Sequence, residues 1–185
     1  MIEITSVKNE DELQQIHALN KLNLKQNVSA EEKDKEGFVT WLYSMDLLNK
    51  MHALAPSIIA KDNNKVVGYA LVTPKEALAF HADLRAAVEN MDTILYDGKL
   101  LKDYRYYVMG QICIDKAYRG KGLFSQLYAK HKELYKNEFD ILLTEVSVNN
   151  IRSQTAHEKV GFKTINTYTD AVDEWNVIAW DWRED

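Results

Sequence analysis

Arg119-Gly120-Lys121-Gly122-Leu123 is a basic glycine turn set between two patterned segments. Ahead of it the apolar run Val108-Met109-Gly110-Gln111-Ile112-Cys113-Ile114 reads as a strand. Behind it Leu123, Leu127 and Leu134 share a helical stripe. A strand, a glycine turn and a helix start together hold phosphates. Glycine lets the backbone approach a ligand closely. The free amides and dipole of a helix N-terminus favour an anion. The expected ligand therefore carries a pyrophosphate. Two common phosphate motifs do not fit. Gly122 is followed by Leu123-Phe124-Ser125, not by the Lys-Ser or Lys-Thr of a Walker loop. The same stretch lacks the third glycine of a dinucleotide fingerprint and lies late in the chain.

A second group of chemically capable residues follows. Asn150, Ser153 and His157 are spaced by three and four, so a helix would present them on one face. Asn150 is a natural N-cap. His157 is the acid–base candidate, able to protonate a leaving group or accept a proton from a nucleophile. A general base is less evident. The strand 106–114 has no carboxylate, and Glu145 on the next strand is the nearest candidate, with Tyr107 and Gln111 as alternatives acting through water. His17, His52, His81 and His131 are dispersed and make no metal-ligand spacing, so no metal is expected. Cys113, the only cysteine, sits among Ile and Met and reads as core.

These residues need elements to position them. Alternation predicts a strand over 2–7. Helical spacing at Leu13, Ile16, Leu19 and Leu22 follows an acidic, capping-rich Asn9-Glu10-Asp11-Glu12. Residues 26–36 are polar and read as a loop. Phe38, Trp41, Leu42, Met45 and Leu48 repeat at helical spacing. Two strands flanking Asp62-Asn63-Asn64 read as a hairpin. Leu78, Leu84, Ala87, Val88 and Met91 predict a helix, and Tyr96-Asp97-Gly98 a turn. Residues 141–146 read as a strand, Asn149-Asn150 as the opening of a short helix that stops at Gly161, and 162–168 with 176–182 as a closing strand pair. Strands mixed with a few helices, with hairpins at both ends, give a mixed sheet in an α+β domain.

Composition sets the outer bounds. The chain has 185 residues, enough for one domain with a sizeable core. A net charge of -5 argues against a nucleic-acid backbone as the main partner. No apolar run approaches the roughly 20 residues that span a bilayer. Met1-Ile2-Glu3-Ile4-Thr5 has no leader-like pattern, so the expected compartment is the cytoplasm. The aromatic end, Trp175 to Trp182, either packs internally or pairs across a homodimer.

The two groups of residues together resemble the GNAT family of N-acetyltransferases. Arg119-Gly120-Lys121-Gly122 after Ile112-Cys113-Ile114 is similar to that family's R/Q-x-x-G-x-G/A motif. Val146, Asn150, Ser153, Ala156, Lys159, Gly161 and Phe162 resemble its later motif of strand, Asn, short helix and terminal Gly-Phe. The resemblance is specific over 107–168 and topological before that. It implies a mixed, mostly antiparallel twisted sheet flanked by helices, in a single domain over 1–185 with an acceptor-side insertion at about 75–104. It implies acetyl-CoA as acyl donor, an amine acceptor and direct attack on the thioester. Arg119, Gly120, Lys121, Gly122 and Leu123 would cradle the pyrophosphate. Ile112 and Ile114 would offer backbone groups to the pantetheine arm, and Asn150 and Ser153 would flank it. Two positions depart from the pattern. Phe124 stands where Gly or Ala is usual, which requires its ring to point into the core. His157 stands where many members carry a Tyr that protonates the thiolate. The resemblance also admits a catalytically silent CoA-binding or regulatory domain. Trp41, Tyr43, Phe80, Tyr96, Tyr104 and Tyr106 could line an acceptor pocket.

Overall fold

The computed structural model of the chain describes residues 1–29, 31 and 38–183. Most of the loop expected over 26–36 lies outside the described residues. The chain begins with strand β1 (Ile2–Ser6) and helix α1 (Glu10–Leu22). Asn9 caps α1, its side chain accepting from the Glu12 amide at 3.0 Å, and three acids follow in the first turn. Leu22, expected on the apolar stripe, is exposed.

The apolar spacing from Phe38 onward does not form one helix. Residues 38–44 form no helix, with one isolated bridge from Val39 to Leu24, and helix α2 spans Met45–Leu54, capped by Ser44. The reason is the buried Asn20 amide. It donates to the Trp41 carbonyl at 3.0 Å and accepts from the Tyr43 amide at 2.9 Å. Those backbone groups are thereby drawn to α1 instead of to each other.

Strands β2 (Ile58–Asp62) and β3 (Lys65–Thr73) form the expected hairpin, turning through Asn63 at φ 54. Helix α3 (Ala82–Asp92) follows, then a small hairpin of β4 (Leu95–Tyr96) and β5 (Lys99–Leu100) around Asp97-Gly98. Strand β6 (Tyr106–Ile114), helix α4 (Leu123–Tyr135), strand β7 (Ile141–Ser147) and helix α5 (Ile151–Val160) come next. Strands β8 (Lys163–Thr169) and β9 (Glu174–Asp181) close the chain. On α4 the buried stripe is Leu123, Leu127, Tyr128, His131 and Tyr135, while Leu134 faces out.

The sheet order is β1-β2-β3-β6-β7-β9-β8. All its pairs are antiparallel except β6 with β7. The fold is thus a mostly antiparallel mixed sheet flanked by helices, as expected. One face packs on α1 and α2 through Tyr69, Leu71 and Cys113, and on α3 through Tyr106, Ile141 and Leu143. The opposite face packs on α4 through Ala70, Tyr107, Met109 and Leu142. Two of the three tryptophans of the aromatic end, Trp180 and Trp182, pack internally. Trp182 is buried, Trp180 lies against Phe162, and both join the α4 side of the core.

Two irregularities shape the site. The first is the parallel pairing of β6 and β7. It holds only for Tyr106↔Ile141, Tyr107↔Leu142 and Val108↔Leu143, after which the strands part. Six residues of β6 then run beyond the last pair, roughly 20 Å of strand edge. The second is a β-bulge. Ala70 faces Ile112 and Val72 faces Met109, so Gly110 and Gln111 together oppose Leu71. The extra residue lets Met109 and Ile112 point to the same face, where strict alternation would oppose them. Gly110 is required there. A Cβ would lie 2.6 Å from both the Tyr43 hydroxyl and the Thr73 Oγ1.

Candidate active site

The parting of β6 and β7 opens a groove of about 580 Å³. Its floor is Val108 to Ile112 of β6 and Thr144 to Ser147 of β7. Asn150, Ser153 and His157 border it from α5, and Asp83, Ala87 and Asn90 from α3. Trp41 and Tyr43 lie along it from the irregular segment that precedes α2, which Gln111 pins by donating to the Trp41 carbonyl at 2.8 Å. Thr144 Oγ1 donates to the Met109 carbonyl at 2.8 Å and bridges the strands just where their ladder ends.

At the β6 end the glycine turn takes the form expected of it. Gly120 and Gly122 have φ of 73 and 75, a conformation that L side chains rarely adopt. Gly122 is the N-cap of α4. No side chain caps that helix, and no acid stands in its first turn. The amides from Leu123 onward are thus presented to an anion. The basic side chains behave differently from each other. The Arg119 Nε donates to the Ile114 carbonyl at 3.0 Å and its NH2 to Asn23 at 2.7 Å, so its guanidinium ties the turn to β6 and the end of α1. Lys121 is exposed, its ammonium 4.8 Å from the Tyr118 ring centre. Phe124 turns inward as required, its ring edge-on to His157 at 5.0 Å and tilted against Tyr128 at 5.2 Å.

On α5, the Asn150 side chain caps the helix by accepting from the Ser153 amide at 3.2 Å. His157 is buried with both nitrogens engaged. Nδ1 lies 2.7 Å from the Ser153 carbonyl, which only accepts, so Nδ1 carries the proton. Nε2 then accepts from the Tyr128 hydroxyl at 2.6 Å. Burial holds the imidazole neutral, pushing its pKa down to about 4. The acid–base role expected of His157 therefore has no free ring nitrogen in this arrangement. Tyr107, another candidate, is buried beneath α4 with its hydroxyl 2.9 Å from His131 Nδ1. Gln111 is committed to Tyr69 and Trp41.

Glu145 is different. It lines the groove on the parted stretch of β7, and burial pushes its carboxyl up to about 7, with Asp170 adding in the same direction. Tyr168 donates to its Oε1 at 2.8 Å. Tyr168, Asp170 and Trp175 also line the groove, and none of them was singled out in the sequence as a site residue. They arrive because the last hairpin reverses order: β9 pairs with β7 and β8 takes the edge. Of the aromatics expected near an acceptor, Trp41 and Tyr43 line the groove. Phe80 packs on the core under α1 and α2, and Tyr96, Tyr104 and Tyr106 pack against α3. Among the described residues no group of three His, Cys, Asp or Glu side chains could hold a metal ion, and no helix is long and apolar enough to cross a membrane.

The model of the acetyltransferase (GNAT) family matches residues 19–162. No curated protein matches the sequence. Solved structures match over nearly the whole chain. The ribosomal-protein-S18-alanine N-acetyltransferase from Escherichia coli is 14% identical with a TM-score of 0.64, covering 98% of this chain and 94% of that one. The yncA protein from Salmonella typhimurium, solved with its cofactor acetyl-CoA, is 14% identical with a TM-score of 0.63, covering 100% and 95%. Arabidopsis thaliana Naa50, in complex with a bisubstrate analogue, is 14% identical with a TM-score of 0.62, covering 98% of each chain. At these identities the likeness is one of fold.

Proposed function

The chain belongs to the acetyltransferase (GNAT) family, and from that premise we propose that it transfers acetyl from acetyl-CoA to a primary amine by direct attack on the thioester. Acetyl-CoA supplies the acyl group already activated. The uncapped amides at the start of α4, with Gly120 and Gly122 clearing their approach, fit its pyrophosphate. Lys121 adds charge there, while Arg119 holds the turn in place. The β6 edge at Ile112 and Ile114, left by β7, fits the pantetheine amides as an added strand would. Backbone amides on that edge would polarise the thioester carbonyl. Asn150 and Ser153 border the groove from α5 and would flank the arm, Asn150 Oδ1 holding the cap, Asn150 Nδ2 reaching the Phe38 carbonyl at 3.5 Å and Ser153 Oγ lying 3.3 Å from His157 Nδ1.

The observation that carries the reading is Glu145, a half-buried carboxyl on the parted strand whose desolvation pushes its pKa up to about 7. Such a group is matched to proton acceptance at neutral pH. The amine nitrogen bonds to the acyl carbon, the carbon–sulfur bond breaks, and the amine proton passes to Glu145. The sulfur leaves as the thiolate of a thiol of pKa about 8.5, and the proton held by Glu145 passes to it through water, which returns the carboxyl to its ionised form. His157 acts as a positioning residue, locking α5 to Tyr128. We assign 1–185 to one domain, with 75–104 framing the acceptor. Thiol release from acetyl-CoA in the presence of primary amines tests the reading. Turnover is expected, with a loss in Glu145→Gln of at least about a hundredfold. Binding of acetyl-CoA without turnover of any amine would favour the catalytically silent domain instead. Absence of binding would remove both.

A further inference from the structure

The groove is lined by charge of one sign. Among the described residues that border it, Asp83, Glu145 and Asp170 are acidic, and none is Lys or Arg. Its histidine, His157, is held neutral by burial. Aromatic rings of Trp41, Tyr43 and Trp175 line the same walls. A cleft with one sign of charge and low-dielectric walls concentrates counter-ions, here cations. Aromatic faces attract them further.

The acids are also spread along the groove. Tyr168 bonds Glu145, and Asp170 lies two residues on from Tyr168. The amides of Val172 and Asp173 donate to Asp170 Oδ1 at 2.7 and 2.9 Å, fixing that carboxylate in its ionised form. On α3, Asp83 and Asn90 both border the groove seven residues apart, about 10 Å along the helix. Between them stand Ala86 and Ala87, which leave the wall low. A cationic chain lying in the groove would meet a carboxylate at intervals and, among the described residues that line it, no ammonium.

We propose that the acceptor is an aliphatic polyamine: a primary amine that reacts beside Glu145 and carries at least one further ammonium group toward Asp170 and Asp83, with no carboxylate. This rests on the acyl-transfer reading above. An acceptor with its own carboxylate would set a like charge among Asp83, Glu145 and Asp170, and a monoamine would bring no second ammonium to Asp83 and Asp170, whose present contacts are His81 and the loop amides.

The test is thiol-release kinetics with acetyl-CoA and matched acceptors: butylamine, 1,4-diaminobutane, spermidine, lysine and a short peptide with a free N-terminus. Spermidine is expected to exceed butylamine in kcat/KM by at least about tenfold, an advantage that shrinks as salt is raised. The ratio of the two is expected to fall to within about threefold in Asp83→Asn/Asp170→Asn, through KM more than kcat. Asp83 is exposed, so Asp83→Asn alone supplies a folded variant with a partial fall if the double variant is unstable. Equal use of butylamine and spermidine, or a preference for lysine or the peptide, would overturn the inference and leave acyl transfer standing. Turnover of none of these amines would overturn both.

Discussion

Replacing Glu145 by glutamine isolates the ionisation that the groove makes costly. Burial raises this carboxyl from 4.5 to about 7, against the pull of the Tyr168 hydrogen bond. Glutamine keeps the shape and stays neutral. At about 1.4 kcal/mol per pH unit, the gap makes ionised Glu145 about 3 kcal/mol costlier in the folded protein than its neutral form. The folded-state value lies above the unfolded one, so over that window the folded protein keeps a proton that the unfolded chain has released. The stability contributed by this group is complete below 4.5 and is lost as pH rises through about 7. Urea denaturation of wild type and Glu145→Gln at about pH 5 and about pH 8 reads the difference. The variant should gain about 2.5 kcal/mol on wild type across that interval. If this carboxyl is the proposed proton acceptor, it should set an acid limb of kcat/KM near neutrality, and the variant should lose that limb with most of its rate. A stability difference constant to within about 0.5 kcal/mol, or a limb at the ordinary carboxylate position, would refute the desolvation argument.

Other perturbations probe the cradle and the helix that borders the groove. Gly122→Val forces a β-branched residue into a left-handed conformation, at about 1–2 kcal/mol or more, and places a Cβ over the anion site. Calorimetry should then show acetyl-CoA binding lost while circular dichroism retains the fold. His157→Phe leaves the Tyr128 hydroxyl without its partner and should lower stability at neutral pH by about 1–3 kcal/mol. The folded-state pKa of His157 lies below the ordinary 6.5, so its contribution is complete above 6.5 and lost as pH falls toward about 4. The variant should therefore lose less stability on acidification than wild type, as melting curves at neutral and acid pH would show. Its kcat/KM should keep the neutral limb expected of Glu145 as the proposed proton acceptor.

The legible parts of the fold were those written in local chemistry. The hairpin through Asn63, the caps at Asn9 and Asn150, and the glycine turn before α4 each follow from neighbouring residues, and each is present. The helical spacing of Phe38, Trp41 and Leu42 misled because Asn20, on another element, takes the backbone groups a helix would need. The bulge at Gly110 and Gln111 had a signal, a lone glycine within a strand pattern, but its partner Tyr43 comes from far along the chain. Tyr168, Asp170 and Trp175 had none, because only the crossed order of the last hairpin brings them to the groove. The face shared by Asn150, Ser153 and His157 was read from spacing alone. That His157 is tied off by Tyr128 depends on α4 packing beside α5, a tertiary fact.

Three residue pairs join β6 to β7, and the sheet is in effect two leaves hinged at that seam. The leaf of β1, β2, β3 and β6 and the leaf of β7, β9 and β8 each end on an internal edge. A molecule whose amides pair along the β6 edge serves as a removable strand, and its binding energy becomes cohesion between the leaves. A ligand at a hundred times its dissociation constant adds about 2.7 kcal/mol to folding stability. The gain should appear as slower amide exchange on both sides of the seam, in β9 as well as in β3, far from any atom the ligand touches. On the proposed reading, the resting protein is an incomplete sheet that its own substrate would finish.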